Sequence, residues 1–191
     1  MKRKITVAAV QMNIKPLDMN KNLQTASSML EKIFLKKKCD LVVFPEDCIT
    51  GPIPNNLELA MDKNSDYIKQ FQLLAKKYKV YIVVGSFIQK KGDKYFNTSL
   101  LLDREGKVIL EYNKNNLWHP ERKYIQACSD LPVVKTTIGT IGIIICWDLV
   151  FSRTCNTLAS KGADIICCPS YWTVDDGRLL HKKYGRKTEH S

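Results

Sequence analysis

Short apolar runs rich in β-branched residues alternate with amphipathic segments along most of this chain, and this alternation constrains its fold more than any other feature. Residues 41–44 and 141–145 are continuous apolar runs, as expected for strands covered on both faces. Residues 19–37 and 67–78 instead carry apolar side chains at helical spacing. This order of elements predicts an α/β fold with a mixed β-sheet.

The remaining segments extend the same pattern. A further helix is predicted from about residue 149 to 161, closed by Gly162. The further strands are predicted at residues 5–11, 80–87, 95–102, 107–112, 133–137 and 164–168. Residues 95–102 and 107–112 are predicted to form a hairpin. Because no repeat, low-complexity segment or linker interrupts the series, residues 1–191 are predicted to form a single domain.

Chemically versatile residues follow four of the predicted strands. Ligands of open α/β sheets bind outside the carboxyl ends of the strands, so these positions are the first place to look for a site. The four ends read Phe44-Pro45-Glu46, Tyr112-Asn113-Lys114, Ile145-Cys146-Trp147 and Cys168-Pro169-Ser170-Tyr171-Trp172.

Cys146 is placed as a nucleophile at one of these ends. A helix beginning near Leu149, with Asp148 as its N-cap, would direct the positive end of its dipole at the thiol and favour the thiolate. The alternative is structural, because buried free cysteine also behaves as a small apolar residue. Position alone leaves both interpretations open.

A reactive cysteine needs a base, and the histidines of this chain are poorly placed to supply one. Glu46 and Lys114 follow other strands and form a coherent set with Cys146. A carboxylate can take the thiol proton and return it to a leaving amine, while an ammonium can stabilise an oxyanion. Considered separately, the two residues could equally be a solvated loop acid and a surface lysine.

Four dispersed motifs in register carry a resemblance to a known family. They are Phe44-Pro45-Glu46, Tyr112-Asn113-Lys114, Ile145-Cys146-Trp147-Asp148 and residues 162–170. In order and spacing they resemble the successive signatures of the nitrilase superfamily, the carbon–nitrogen hydrolases. The resemblance extends from the first strand to about Trp172 and implies that family's αββα sandwich.

The resemblance also implies roles for individual residues. Glu46 corresponds to the general base and acid, Lys114 to the cation that stabilises the intermediate, and Cys146 to the nucleophile that becomes acylated. Glu121 corresponds to a second glutamate that orients the lysine and the substrate, although by itself it reads as a solvated loop acid. The candidates for substrate binding are Trp147, whose backbone N–H would point into an oxyanion hole, Trp172 at a pocket wall, and Tyr171, for which core packing is the favoured alternative.

Family members continue well beyond the point where this sequence ends. The resemblance therefore predicts that the C-terminal strands and helices of the sandwich are missing, and that a longer polypeptide or another chain supplies them. We expect the 191 residues alone to aggregate or to be weakly active, because central strands would become edges. Residues 150–156 also lack the proline-glutamate pair that many relatives carry after the cysteine.

Composition limits the other classes of protein. The seven cysteines are odd in number and follow no secretory signal, so they read as reduced thiols in a cytoplasmic protein. The three histidines are scattered and no C-x-x-C pair occurs, which disfavours a metal site. No apolar run approaches the roughly 20 residues that a membrane span requires.

These features together predict a thiol amidohydrolase that cleaves a small amide or an N-carbamoyl compound, without a metal or organic cofactor. The resemblance further suggests a homo-oligomer. Two alternatives stay open: a true nitrilase, and a catalytically silent binding or assembly module, which the formal net charge of +11 favours. RNA is the less favoured partner, because lysine dominates over the arginine that base readout prefers.

Overall fold

The computed structural model describes residues 4–172, which form an α/β structure. The strands are β1 (Val7–Ala9), β2 (Leu41–Val43), β3 (Tyr81–Val83), β4 (Phe87–Lys91), β5 (Lys94–Leu102), β6 (Val108–Asn113), β7 (Val133–Thr136), β8 (Gly139–Ile143) and β9 (Ile165–Cys167). The α-helices are α1 (Met19–Lys36), α2 (Asp66–Tyr78) and α3 (Ser152–Ser160). No helix within this range is long and apolar enough to cross a lipid bilayer.

The first sheet mixes parallel and antiparallel pairs, as the sequence predicts. Strands β1, β2 and β3 run parallel, and β5 pairs antiparallel with β3, β4 and β6. The predicted hairpin is confirmed as β5 and β6. The second sheet has the order β7-β8-β9, with β8 and β9 parallel.

The prediction of one strand over residues 80–87 was wrong. Strand β3 ends at Val83, and β4 begins at Phe87 on the same side of β5, so one sheet position is filled by two segments. The chain breaks at Gly85, whose φ of +61° is a left-handed conformation that glycine adopts without strain. A Cβ at this position would lie 1.9 Å from the carbonyl oxygen of Pro45, so only glycine fits beside the strand end that leads to Glu46.

Helices α1 and α2 cover one face of the first sheet, because their apolar stripes pack with alternate residues of its strands. Leu30, Phe71 and Leu100 belong to this core, and all three are fully buried. The opposite face of the sheet presents Leu101, which packs in a second core with Ile143 of β8. Successive strand residues point to opposite faces, so one strand serves both cores.

Helix α3 packs on the far side of the second sheet. Gly142 in β8 leaves room for Leu158 of α3, whose side-chain carbon lies 3.0 Å from the position that a Cβ would occupy. The layers are therefore α1 and α2, the first sheet, the second sheet, and α3. This order agrees with the αββα sandwich expected from the sequence.

Candidate active site

Three strand-end segments converge at one edge of the two sheets. Glu46 lies just after β2, Lys114 directly after β6, and Cys146 just after β8. The two sheets are held together here, because Tyr171, which follows β9, donates its backbone N–H to Glu46 Oε2 at 3.0 Å. The structure thus brings together the three residues that the sequence singles out, together with Glu121.

Lys114 is the centre of this cluster and is 1% exposed. Its Nζ lies 2.9 Å from Glu46 Oε1 and 2.8 Å from Glu121 Oε2. Burial alone lowers the pKa of Lys114, but the charges of Glu46 and Glu121 and their hydrogen bonds outweigh burial and raise the pKa above its ordinary value. The side chain is a permanent cation that retains a third N–H bond for another partner.

Glu121 is held in place by its own helix as well as by Lys114. It lies in the 3₁₀ helix His119–Lys123, where its Oε2 accepts a hydrogen bond from the backbone N–H of Trp118 at 2.8 Å. Only 7% of its surface is exposed, so it is not a solvated loop acid.

A further residue, Asn97, was not singled out in the sequence. Its Nδ2 donates to Glu46 Oε1 at 3.0 Å and to Glu121 Oε1 at 2.9 Å. Asn97 lies in β5 directly opposite Lys114, as the hydrogen bond from the Lys114 backbone N–H to the Asn97 carbonyl shows. The signal for it was this hairpin register, which sets both side chains on one sheet face.

Cys146 is in a left-handed backbone conformation, with φ +45°, and begins a 3₁₀ turn that extends to Val150. Such strain in a residue other than glycine clusters at functional sites. Its thiol lies close enough to the Glu46 carboxylate and the backbone N–H of Tyr171 for both groups to affect its pKa. Burial, then the charge and hydrogen bond of Glu46, raise the pKa of Cys146 to about 12, against the opposing charge of Lys114.

The expectation of a dipole-stabilised thiolate was therefore wrong. Helix α3 begins at Ser152, six residues after Cys146, and its N-cap is Phe151, so Asp148 is not the N-cap of an α-helix at the thiol. The short 3₁₀ turn supplies no macrodipole of comparable strength. The raised pKa leaves the thiol neutral near pH 7.

Asp148 is instead a buried residue that supports the turn carrying Cys146. Its carboxylate accepts hydrogen bonds from the hydroxyl of Tyr112 at 2.6 Å and from the backbone N–H of Ile145 at 2.9 Å. It also accepts from the backbone and side-chain amides of Asn116, at 2.7 and 2.9 Å. Asp148 thereby joins the turn that carries Cys146 to the segment that follows Lys114.

A third carboxyl, Asp47, is buried beside the cluster. Its Oδ1 has no hydrogen-bond partner among residues 4–172. Burial, then the charges of Glu46 and Glu121, raise the pKa of Asp47 well above its ordinary value, against the charge of Lys114. Asp47 therefore holds its proton more readily than an ordinary carboxyl group.

The aromatic candidates surround the cysteine to different degrees. Trp147 and Tyr171 are half-buried, and Trp172 is 51% exposed. A separate cleft of about 370 Å³ is lined by Glu111, Asn113, Cys128, Asp130, Leu131, Pro132 and Lys161. In β6, Glu111 and Asn113 point away from the face that carries Lys114, so this cleft is not the site of the cluster.

Comparison with known proteins assigns the chain to a family. Residues 6–182 match the family model for carbon–nitrogen hydrolases. A probable nitrilase of Schizosaccharomyces pombe is 30% identical over 190 residues, which cover 94% of this chain and 69% of that protein. The 2-oxoglutaramate amidase of Bacillus subtilis is 30% identical over 183 residues, with the same coverage of 94% and 69%.

A solved structure gives the same result. The structure of Saccharomyces cerevisiae Nit3, a member of branch 10 of the nitrilase superfamily, aligns with a TM-score of 0.83 and 28% identity. The alignment covers 92% of this chain and 67% of Nit3. The αββα architecture is therefore shared with a solved member of that superfamily.

Proposed function

Because the chain belongs to the carbon–nitrogen hydrolase family, we propose that it is a thiol amidohydrolase in which Glu46, Lys114 and Cys146 form the catalytic triad. The observation that carries this proposal is that one carboxylate, Glu46, interacts with both the half-buried thiol of Cys146 and the buried ammonium of Lys114. One group can then accept the thiol proton while the neighbouring cation stabilises the charge that develops on the substrate.

In the first half of the reaction, Glu46 takes the proton of Cys146 as Sγ attacks the amide carbon. The carbonyl oxygen becomes an oxyanion, which the free N–H of Lys114 and the backbone N–H of Trp147 stabilise. Collapse of this intermediate breaks the C–N bond. The protonated Glu46 gives its proton to the leaving nitrogen, which departs as ammonia or an amine.

In the second half, water hydrolyses the acyl-thioester. Glu46 removes a proton from the water as its oxygen attacks the thioester carbon, and the C–S bond breaks to release the acid. The proton returns to Cys146, so the cycle closes without a metal or organic cofactor. Glu121 acts by holding Lys114, while Trp147, Tyr171 and Trp172 form part of the substrate pocket.

The relatives indicate which substrates to test first. The 2-oxoglutaramate amidase of Bacillus subtilis is named for a primary amide, and its identity of 30% makes 2-oxoglutaramate the leading candidate. A simple aliphatic amide and an N-carbamoyl amino acid represent the other predicted classes. A small nitrile tests the alternative of a true nitrilase, which the name of the Schizosaccharomyces pombe relative favours.

Ammonia release from these compounds, measured with the purified chain and its Cys146→Ala and Cys146→Ser variants, tests the proposal. We expect amide turnover in the parent chain and none with Cys146→Ala, because the acyl-enzyme cannot form. Cys39→Ala is the matched control, since its thiol lies just before β2 and contacts the Lys37 carbonyl. Turnover that survives in Cys146→Ala would remove this cysteine from the mechanism.

A further inference from the structure

Asn97 occupies the position in the first sheet from which a side chain reaches both carboxylates of the cluster. It lies in β5, opposite Ile88 of β4 on one side and Lys114 on the other. Directly opposed residues share a sheet face, so the amide of Asn97 and the ammonium of Lys114 emerge side by side. Asn97 is fully buried, and its contacts are therefore those of a dry, packed interior.

The hydrogen bonds fix the orientation of the amide. Because ionised carboxylates only accept hydrogen bonds, the group that faces Glu46 Oε1 at 3.0 Å and Glu121 Oε1 at 2.9 Å must be the NH₂ of Asn97. Its Oδ1 then points away and finds no partner among the described residues. A buried carbonyl oxygen without a hydrogen-bond partner is unfavourable. The amide of Asn97 must therefore serve another purpose at this position.

The reason lies in the charges. Glu46 and Glu121 both converge on the single cation of Lys114, and two carboxylates at such range repel each other. A second cation would neutralise this repulsion but would also weaken Glu46 as a proton acceptor. A neutral amide donates one N–H to each carboxylate and leaves the net charge of the cluster unchanged.

We infer that Asn97 is a positioning residue, which holds Glu46 and Glu121 together on Lys114 while leaving Glu46 basic enough to receive the thiol proton. This inference rests on the proposed roles of Glu46, Lys114 and Cys146. Asn97 acts through the two carboxylates and does not itself meet the substrate.

The test compares Asn97→Leu, which keeps the branched shape and loses both donors, with Asn97→Ser, which keeps one hydroxyl donor. The matched control is Asn113→Leu, the same exchange on the opposite face of β6, where Asn113 accepts hydrogen bonds from Lys91 and Thr98. Steady-state kinetics are measured across pH on an amide that the parent chain hydrolyses, together with the thermal melting of each variant. If Asn97→Leu lacks a cooperative melt, Asn97→Ser carries the comparison.

We expect kcat of Asn97→Leu to fall about tenfold to a hundredfold, as for loss of hydrogen bonds to a charged group, with KM within about twofold. Without the donors, the ionised carboxylates are less stable, so the fall of kcat on the acid side should begin at higher pH. Asn113→Leu should keep the parental pH profile. A parental profile and kcat in a folded Asn97 variant would overturn the inference.

A second measurement separates this inference from the proposed function. The rate at which iodoacetamide alkylates Cys146, followed by peptide mass mapping, requires no substrate. If the parent chain releases no ammonia from any compound, the proposed function fails, but an alkylation rate of Cys146 that changes in Asn97→Leu and not in Asn113→Leu still supports the positioning role, because Glu46 influences the pKa of this thiol. Equal alkylation rates in those two variants would overturn it.

Discussion

At the scale of single residues, the main feature of the site is the protonation of Cys146 beside Glu46. The Cys146 thiol is neutral near pH 7, because burial and the neighbouring Glu46 raise its pKa to about 12. A neutral thiol is a weak nucleophile, so in the proposed reaction its proton leaves as the bond to carbon forms. Glu46 contacts that thiol, whereas a cysteine paired with a protonated histidine would carry its negative charge before the substrate arrives.

Glu46→Gln separates the two influences of this carboxylate. Turnover should fall by about 10² to 10⁴, because the proton acceptor is gone. The pKa of Cys146 should fall as well, because the charge and the hydrogen bond that raise it are removed. Amide turnover and the pH dependence of Cys146 alkylation measure the two effects.

The exposed Glu58→Gln serves as the control for this exchange, since Glu58 lies on a surface 3₁₀ turn. An alkylation profile that stays at the parental pH in Glu46→Gln would contradict the coupling between Glu46 and Cys146.

Positions at strand ends marked Glu46, Lys114 and Cys146 as candidates, because carboxyl ends of neighbouring strands meet at one edge, but only the family resemblance grouped them as one catalytic set. Asn97 could not be found in this way, since it lies inside β5 and its pairing with Lys114 depends on hairpin register. Asp148 was predicted as a helix cap and is a buried support instead. Its four hydrogen bonds reach residues up to 36 positions away, which local sequence does not reveal.

At the scale of elements, the break between β3 and β4 determines where Glu46 is placed. Helices and strands were predicted correctly in most places, because their periodicity is local. The break was missed because its cause is the close approach of Gly85 to the backbone of Pro45. Contacts between segments distant in sequence leave no periodic signal.

Gly85→Ala tests this approach, with Gly92→Ala as its matched control. Both glycines are left-handed, with φ of +61° and +59°, so each exchange carries a strain of about 1–2 kcal/mol. Only at Gly85 does the new methyl group meet backbone, whereas nothing lies within 4 Å at Gly92. Gly85→Ala should therefore lower the free energy of unfolding by about 1–3 kcal/mol more than the control.

Urea denaturation of both variants measures this difference. Amide turnover of folded Gly85→Ala should also fall, because the clash displaces the segment that carries Glu46. Equal free energies of unfolding for the two variants would show that the strand end yields to the methyl group at no cost.

At the scale of the whole molecule, two cores lie on the two faces of the first sheet, and each contains a buried thiol. Cys48 belongs to the core under α1 and α2, and Cys167 to the core between the sheets. Burial raises the pKa of Cys48 far above its ordinary value and that of Cys167 to about 12. Neither thiol ionises in the folded chain below about pH 10.

These thiols make stability fall in alkaline solution. Above about pH 9 the unfolded chain releases their protons while the folded chain retains them, so the unfolded state is favoured. The free energy of unfolding should fall between pH 8 and 10, approaching about 1.4 kcal/mol per pH unit for each thiol. Urea denaturation in the presence of a reductant measures the slope.

Cys48→Val removes one of the two ionisations while keeping an apolar side chain. The free energy of unfolding of this variant should fall less steeply with pH than that of the parent, by up to about 1.4 kcal/mol per pH unit. A free energy of unfolding that is constant between pH 8 and 10 would contradict this linkage.

The hydrogen bond from the Tyr171 backbone to Glu46 joins residues 125 positions apart. The turn that carries Cys146 is likewise fastened late in the chain, through the bond from its N–H to the Pro169 carbonyl at 2.9 Å. During synthesis on the ribosome, Glu46, Asn97 and Lys114 leave the exit tunnel well before either partner has been made. A nascent chain shorter than about 170 residues therefore lacks both of these hydrogen bonds, so the arrangement of the cluster cannot be completed before nearly the whole of this sequence has been translated.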